Sequence, residues 1–176
     1  MTPATAPARR SRTAPLHDPL IADELARVLA EHCADQFAAV AGPARDTLID
    51  LQVRARLGGF TASHPGAMAW FLLRDGHTAG YAIVDDTGDA IRLVDLVVRP
   101  AFRRSGVASG FLDELTERAD AAGRTVALTV APASDAERLY LARGFTPAAG
   151  AGEPGALHRA LRRKPASVTE PEEGTR

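Results

Sequence analysis

Mainly apolar residues recur at helical spacing in the first third of the chain. After Pro19, apolar side chains occupy Leu20, Leu25, Val28, Leu29 and Cys33. A second set follows Gly42 and Pro43, at Leu48, Leu51, Gln52 and Ala55, with Arg56 at the same spacing. These patterns predict two amphipathic helices, the second ending at Gly58-Gly59, and a loop over residues 59–66.

The next part of the chain consists of apolar runs of strand length. Met68 to Arg74 and His77 to Asp85 are separated by Asp75-Gly76, a strong hairpin signal. A turn at residues 86–89 then leads into a third run, Ala90 to Val98. The sequence therefore predicts an antiparallel meander of three strands.

A helix and a further strand follow the meander. Apolar spacing predicts a helix from Gly106 to Ala122 with Gly123 at its C-terminus, and Thr125 to Val130 has the composition of a strand. Strand, helix and strand in this order make a right-handed parallel crossover. The sequence thus predicts an α+β fold, a mixed, mainly antiparallel sheet flanked by helices.

The last third contains a helix start and a short strand. Ser134 to Glu137 has the S-x-x-E form of a capping box, and Gly144 is expected to end the helix. Ala156 to Leu161 is predicted as a closing strand. Proline-rich or charged flanks predict disordered tails at 1–18 and 163–176 around one domain at 19–162.

Composition excludes several classes of protein. With 45% hydrophobic and 24% charged residues, the chain is an ordinary globular protein, and its net charge of −1 gives no reason to expect nucleic acid as a partner. No apolar run approaches a membrane span, and the basic N-terminus lacks the apolar stretch of a secretory signal. The single Cys33 allows no internal disulfide. These features predict a cytoplasmic protein without a membrane partner.

The turn between the third strand and its helix has the form of a phosphate site. The first N–H groups of a helix have no intrahelical partner, and Arg99, Arg103 and Arg104 add positive charge there. There is no G-x-x-x-x-G-K-[ST] sequence, and the only lysine is Lys164, which argues against a P-loop nucleotidase. There is also no G-x-G-x-x-G sequence, so the dinucleotide fingerprint is missing.

What remains is Arg103-Arg-Ser-Gly106-Val-Ala108, an [RQ]-x-x-G-x-[GA] spacing after Val-x-Pro. Here the sequence resembles the GNAT superfamily of acyl-CoA-dependent N-acyltransferases. A second element supports the resemblance, because Ala136 to Phe145 matches the family's A-x-x-L-Y-x-x-x-G-F pattern. The resemblance implies that the strands before and after the phosphate helix splay apart around the pantetheine arm of acetyl-CoA.

The sequence departs from the family pattern at two places. Many members carry an asparagine before the last helix, where this chain has Ala133 and Ser134. Members usually also open with a strand before the first helix. Residues 1–19 show no convincing strand, and only Ala14 to Leu20 has any strand character.

The resemblance implies roles for particular residues. Tyr140 would protonate the coenzyme A thiolate, the alternative being an aromatic anchor under the cofactor. Asp95 would accept the amine proton directly or through water, or else serve in a structural pair. The residues expected to contact the cofactor are Val97, Val98, Arg103, Arg104, Ser105, Gly106, Val107, Ala108, Ser109 and Ser134, with an amide of Val97 or Val98 polarising the thioester carbonyl.

The histidines of the sequence point to no specific role in the reaction. His64, in the predicted loop after the second helix, either faces the acceptor or is merely solvated. The histidines share no metal-ligand spacing, so no metal is predicted.

Two functions are compatible with this sequence. The first is an N-acetyltransferase that moves the acetyl group of acetyl-CoA to a primary amine of a small molecule or peptide. The second is a non-catalytic acyl-CoA-binding or sensing domain of the same fold. The acceptor is not evident from the sequence, and the oligomeric state is open, with a homodimer as one option.

Overall fold

The computed structural model describes residues 11–148 and 157–166. Its elements in chain order are β1 (Ser11–Pro15), α1 (Pro19–Gln36), α2 (Pro43–Ser63), β2 (Met68–Arg74), β3 (His77–Asp85), β4 (Ile91–Val98), a 3₁₀ turn (Pro100–Phe102), α3 (Val107–Ala121), β5 (Val126–Val130), α4 (Asp135–Leu141), β6 (Thr146–Pro147) and β7 (Arg159–Arg163).

The strands form one sheet in the order β1-β2-β3-β4-β5-β7-β6. Every neighbouring pair is antiparallel except β4 and β5, which are parallel. The meander, the crossover and the α+β class are therefore confirmed. The turn at Asp75-Gly76 has positive φ at both residues, as a tight hairpin requires.

A strand precedes the first helix, which corrects the prediction for residues 1–19. Ser11–Pro15 pairs with β2, and Leu16 is 7% exposed in the core. Asp18, also within the predicted tail, accepts a hydrogen bond from the Leu20 N–H and caps α1. An edge strand with Arg12 and Pro15 lacks an apolar pattern of its own, and its pairing with β2 decides its structure. Residues 1–10 lie outside the described residues.

The C-terminal boundary also differs from the prediction. The closing strand is Arg159–Arg163, later than predicted, and Ala156 lies outside the described residues. Both terminal nitrogens of Arg163 donate to Asp120 at 2.7 Å, and the Ala166 N–H donates to the same carboxylate. The Arg163 guanidinium thereby lowers the pKa of Asp120 to about 2. The chain after residue 162 is therefore attached to the fold at least to Ala166.

Helix α2 does not end at the glycine pair. It runs through Gly58 and Gly59 to Ser63, and the His64 N–H still donates to the Phe60 carbonyl. Neither glycine has a positive φ, so nothing interrupts the helical hydrogen bonds. The predicted loop over residues 59–66 is therefore largely helical, because glycine weakens a helix without necessarily breaking it.

The predicted apolar face of α1 is confirmed at Leu25, Val28, Leu29 and Cys33 but not at Leu20, and that of α2 needs correction. Leu20 is 88% exposed, and Ile21 is buried in its place. On α2, Leu48 and Leu51 are exposed at 38% and 54%. The residues of α2 that pack against the core are Ile49, Val53, Leu57 and Phe60. The orientation of each helix on the sheet decides its buried face.

The sheet has a core on each side. Helices α1 and α2 cover one face together with Phe71, Tyr81 and Ile83, while α3 and α4 cover the other with Leu112, Leu128 and Leu161. The arrangement is a sheet between two helical layers.

A β-bulge in β4 changes which face its residues occupy. Ile83 pairs with Asp95 and the next residue, Val84, pairs with Leu93, so Val94 is an extra residue in β4. Leu93 packs in the α3 layer, whereas Val97 packs in the α1 layer. Strict alternation along β4 would group Asp95 with Ile91, Leu93 and Val97, but only Val97 shares its face, because alternation does not survive a bulge.

Candidate active site

The parallel strands β4 and β5 separate after a short pairing. Their register covers only Ile91–Leu93 against Val126–Leu128, so the later part of β4 has no partner on that side among the described residues. A cavity of about 590 Å³ lies beside this gap. It is lined by His32, Leu96, Val98, Phe102, Arg103, Arg104, Gly106, Val107, Ala108, Ser109, Asp135, Ala136, Arg138, Leu139 and Tyr140.

Backbone N–H groups without acceptors form one end of this cavity. Within the described part of the chain, no N–H from Arg104 to Ser109 has a hydrogen-bond acceptor, and the first helical bond is from the Gly110 N–H to the Gly106 carbonyl. Gly106 has φ +82° and Arg104 has φ +58°, which turns the chain sharply into α3. Consecutive open N–H groups at the positive end of a helix dipole bind phosphate well.

The three arginines of this turn are not equivalent. Arg99 forms a two-pronged ion pair with Glu31 at 2.8 and 2.7 Å, which fastens the turn to α1. Arg103 donates to Asp35 at 2.6 Å, so part of its charge is neutralised. Arg104 has an 88% exposed side chain with Asp135 at 3.6 Å. Arg104 is thus the most accessible positive charge at the open N–H groups.

Some residues expected at the cofactor do not line this cavity. The Ser105 hydroxyl donates to the Phe102 carbonyl, which closes the turn internally. Ser134 caps α4 by accepting from the Glu137 N–H at 3.1 Å, as the capping box predicted. Ala133, where many relatives carry asparagine, has φ +59°, a conformation that asparagine adopts more readily than alanine.

The backbone orientation distinguishes the two candidate amides at the end of β4. The Arg99 N–H donates to the Ala79 carbonyl at 2.9 Å, so Arg99 faces β3. Because residues two apart point the same way in an antiparallel pair, the Val97 N–H also faces β3 and the Val98 N–H faces the gap. Val98 lines the cavity, whereas Val97 is 1% exposed. Of the two, the Val98 amide is accessible to a bound carbonyl.

Tyr140 lies on the wall of the same cavity. The residue is 7% exposed, and its ring packs against Phe145 with centroids 5.7 Å apart. Its hydroxyl has no hydrogen-bond partner among the described residues. Burial raises the pKa of Tyr140 above its ordinary value, and the Asp95 charge adds to the shift. The phenol therefore keeps its proton throughout the usual pH range.

Asp95 is the centre of a buried polar cluster. One oxygen accepts from Arg56 of α2 at 2.6 Å, and the other accepts from the Tyr81 hydroxyl of β3 at 2.8 Å. Asp95 is 8% exposed. Both carboxylate oxygens thus have a donor, and the cluster joins α2 to the middle of the sheet. Burial and the Asp95 charge together raise the pKa of Tyr81, so this phenol also stays neutral.

His32 of α1 is a cavity residue that the sequence did not single out. Its ring is half-buried, and its Nδ1 lies 3.5 Å from Nη2 of Arg103. Burial lowers the pKa of His32, and the charges of Arg56 and Arg103 lower it further. The imidazole is therefore neutral at pH 7 and able to accept a proton.

A second cavity of about 410 Å³ lies on the α2 side of the sheet. It is lined by Ala55, Arg56, Gly59, Phe60, Ser63, His64, Arg92, Leu93, Val94 and Thr129. His64 is fixed by Asp85, with Nδ1 and Oδ2 2.8 Å apart. Arg56 belongs to this cavity and to the Asp95 cluster, so the cluster lies at the edge of this cavity.

No sequence pattern pointed to Tyr81, Arg92 or His32 as site residues, and Arg56 stood out only for its helical spacing. These residues come from four different elements, so no local motif connects them. One signal was present: a charged residue at the apolar spacing of a predicted helix or strand requires a buried partner. Arg56 and Asp95 were both in that position.

Comparisons with known proteins agree with this geometry. A family model described as an acetyltransferase (GNAT) domain matches residues 26–153, more than half of the chain. No curated protein sequence matches the chain. None of the helices in residues 11–148 and 157–166 has the length and apolarity needed to cross a bilayer.

The fold is similar to several solved acetyltransferases. The PaiA N-acetyltransferase from Thermoplasma acidophilum, solved in complex with coenzyme A, has 13% identity and a TM-score of 0.64, with 89% of this chain and 99% of that chain covered. The ribosomal-protein-S18-alanine N-acetyltransferase from Escherichia coli has 18% identity and a TM-score of 0.56, with 93% and 99% covered. A GNAT-family acetyltransferase from Staphylococcus aureus Mu50 has 13% identity and a TM-score of 0.61, with 89% and 99% covered. At these identities the structural similarities establish the fold alone.

Proposed function

This chain belongs to the GNAT acetyltransferase family, and we propose on that basis that it transfers the acetyl group of acetyl-CoA directly to a primary amine of a small molecule or peptide. Acetyl-CoA is the acyl donor of this family. The observation that carries the proposal is the row of N–H groups from Arg104 to Ser109, which lack acceptors among the described residues and line one end of the larger cavity.

The residues present fit the proposed donor. The open N–H groups would hold its pyrophosphate, with Arg104 adding charge from the surface. The gap between β4 and β5 would take the pantetheine arm, because the Val98 amide there has no strand partner on that side. Acetyl-CoA held in this way would supply an activated thioester to the cavity that Val98 and Tyr140 line.

Three groups of the chain have proposed roles in the transfer. As the amine nitrogen bonds to the acetyl carbon and the C–S bond breaks, the Val98 N–H donates to the carbonyl oxygen and stabilises its developing charge. The Tyr140 hydroxyl donates its proton to the departing sulfur. His32, neutral and on the cavity wall, accepts the proton that the amine loses; its Nδ1 is 3.5 Å from Arg103 Nη2, a much longer contact than either hydrogen bond to Asp95.

Asp95 is better suited to positioning than to proton transfer. Both of its oxygens already accept hydrogen bonds, from Arg56 and Tyr81. A base would need a free oxygen directed at the amine. We therefore assign Asp95 the role of holding Arg56 against the sheet.

The proposal is tested by release of free thiol from acetyl-CoA with a broad panel of amines. Amine-dependent release is expected, and acetyl-CoA that binds without any release would favour the acyl-CoA-binding alternative. Of the two sequence departures behind that alternative, the absent first strand has been corrected and only the missing asparagine remains.

Tyr140→Phe separates the proton donor from an aromatic anchor. The variant keeps the ring against Phe145 and loses only the hydroxyl, so acetyl-CoA affinity should change little while kcat falls by roughly 10²-fold. Calorimetry with acetyl-CoA serves as the control for binding. Wild-type kcat in the variant, on an acceptor that the wild type acetylates, would show that Tyr140 is an anchor.

A further inference from the structure

The smaller cavity, beside α2, has a basic lining. Its charged or titratable lining residues are Arg56, His64 and Arg92, and none of its lining residues is an aspartate or glutamate. The nearby carboxylates, Asp85 and Asp95, pair with His64 and Arg56 from outside the cavity lining. A polycationic amine would therefore find no carboxylate on this wall, whereas an anion would find several donors.

Arg92 is the residue of this lining that forms no ion pair with a described carboxylate; Asp85 lies opposite it on β3 but bonds to His64 and Thr87 instead. Arg92 is exposed, and within the described part of the chain no carboxylate lies within 4.0 Å of it. Arg92 lies opposite Ala127 of β5, and Ala127 lies opposite Arg162 of β7. Residues directly opposite on neighbouring strands share a face, so Arg162 adds a second positive charge on the same side, roughly 10 Å away at ~4.8 Å per strand.

The other two basic groups are held in place. Asp95 fixes Arg56 at 2.6 Å, and Asp85 fixes His64 at 2.8 Å. Side chains held by carboxylates lose little conformational freedom when a ligand arrives, which favours binding. The cavity thus combines two positioned donors with one arginine, Arg92, that has no ion-pair partner within 4.0 Å among the described residues.

The position of this cavity along β4 sets the length of its ligand. Arg92 precedes Val98 by six positions on the strand, a span of roughly 20 Å at ~3.3 Å per residue. The arginine side chain and the bulge at Val94 shorten this span. A molecule with its amine at Val98 and an anion at Arg92 would be about as long as three or four extended peptide residues, roughly 10–14 Å.

We propose that the smaller cavity binds the amine acceptor and that this acceptor carries an anionic group, held mainly by Arg92, at the end remote from its amine. The inference rests on the acetyltransferase function proposed above and specifies the acceptor class. Carboxylate and phosphate are both compatible with a guanidinium, which bonds either through two parallel N–H groups.

The experiment compares matched pairs of amines that differ only in the remote group. Triglycine against triglycine amide tests a carboxylate, and 6-aminohexyl phosphate against 6-aminohexanol tests a phosphate. Free thiol from acetyl-CoA reports the rate. The anionic member of at least one pair should have a kcat/KM higher by roughly tenfold or more, since the contact is charged but partly screened by solvent.

Two variants locate the effect. Arg92→Gln should raise KM for the anionic member by roughly tenfold and leave the neutral member and acetyl-CoA binding unchanged. Arg27→Gln is the matched control, because Arg27 is an exposed arginine of α1 that lines neither cavity and has no carboxylate within 4.0 Å among the described residues. This control should behave as the wild type with both members.

The outcomes separate this inference from the proposed function. Equal kcat/KM within both pairs, or equal effects of Arg92→Gln on both members, would overturn the anionic acceptor while acetyl transfer stands. If no amine releases thiol, the proposed function fails, and calorimetry of triglycine and its amide on protein saturated with coenzyme A decides the inference. Tighter binding of the acid, lost in Arg92→Gln, supports it; equal or undetectable binding of the two overturns it.

Discussion

Gly80 of β3 offers a direct test of whether the position of the Val98 amide in β4 matters for the reaction. Gly80 lies opposite Val98, and a Cβ at this glycine would be 2.2 Å from the Val97 carbonyl oxygen and 3.1 Å from the Val98 Cα. Ordinary contacts of a Cβ atom begin at 3.4 Å. Both neighbours are backbone atoms, so Gly80→Ala requires β3 and β4 to separate by roughly 1 Å at this point.

The size of the effect follows from that displacement. Overpacking a well-packed site costs about 1–3 kcal/mol, and each kcal/mol lowers Tm by roughly 2–4 °C in a chain of this length. A 1 Å misplacement of a positioned catalytic group costs on the order of 10²-fold in rate. We therefore expect a kcat about 10²-fold lower, with acetyl-CoA affinity little changed because the N–H groups from Arg104 to Ser109 lie on a separate turn.

Thiol-release kinetics and thermal unfolding measure both effects. Gly58→Ala is the matched control, because a Cβ there meets nothing within 4 Å and the residue lies inside α2 without a positive φ. The control should retain full activity and gain about 0.5–1 kcal/mol of stability. A wild-type Tm in Gly80→Ala would show that this contact does not fix the Val97–Val98 backbone. A wild-type kcat as well would refute the use of this backbone in the reaction.

Two further predictions concern the larger cavity. Gly106→Val should weaken acetyl-CoA binding by roughly tenfold or more without unfolding the protein. A β-branched residue is strained at φ +82°, and its side chain would obstruct the open N–H groups. Undiminished affinity by calorimetry would contradict the assignment of these N–H groups to phosphate. His32 must be neutral to accept a proton, and burial holds its pKa below the ordinary 6.5, so kcat/KM calculated per unprotonated acceptor amine should be level above pH 7 and fall only at lower pH. His32→Gln should remove that acidic limb from the pH profile, and an unchanged limb would assign it to another group.

The sequence by itself determined the elements whose signals are local. The hairpin at Asp75-Gly76 follows from two residues that tolerate positive φ, and the start of α4 follows from a serine that caps the Glu137 N–H three residues later. The turn before α3 was also predictable, because the open N–H groups from Arg104 to Ser109 belong to one short segment. In each case the interacting atoms are only a few residues apart, so the pattern contains the contact.

Contacts between distant segments were decided only by the tertiary structure. Strand β1 has no apolar pattern and exists because β2 offers it hydrogen bonds. The bulge at Val94 became visible only through the register of β3 against β4, and it moved Asp95 to the face of Tyr81. Arg56 and Asp95 are 39 positions apart, and their bond depends on the helix packing over the strand. Local propensity is worth a few tenths of a kcal/mol per residue, and the burial and pairing of whole elements outweigh it.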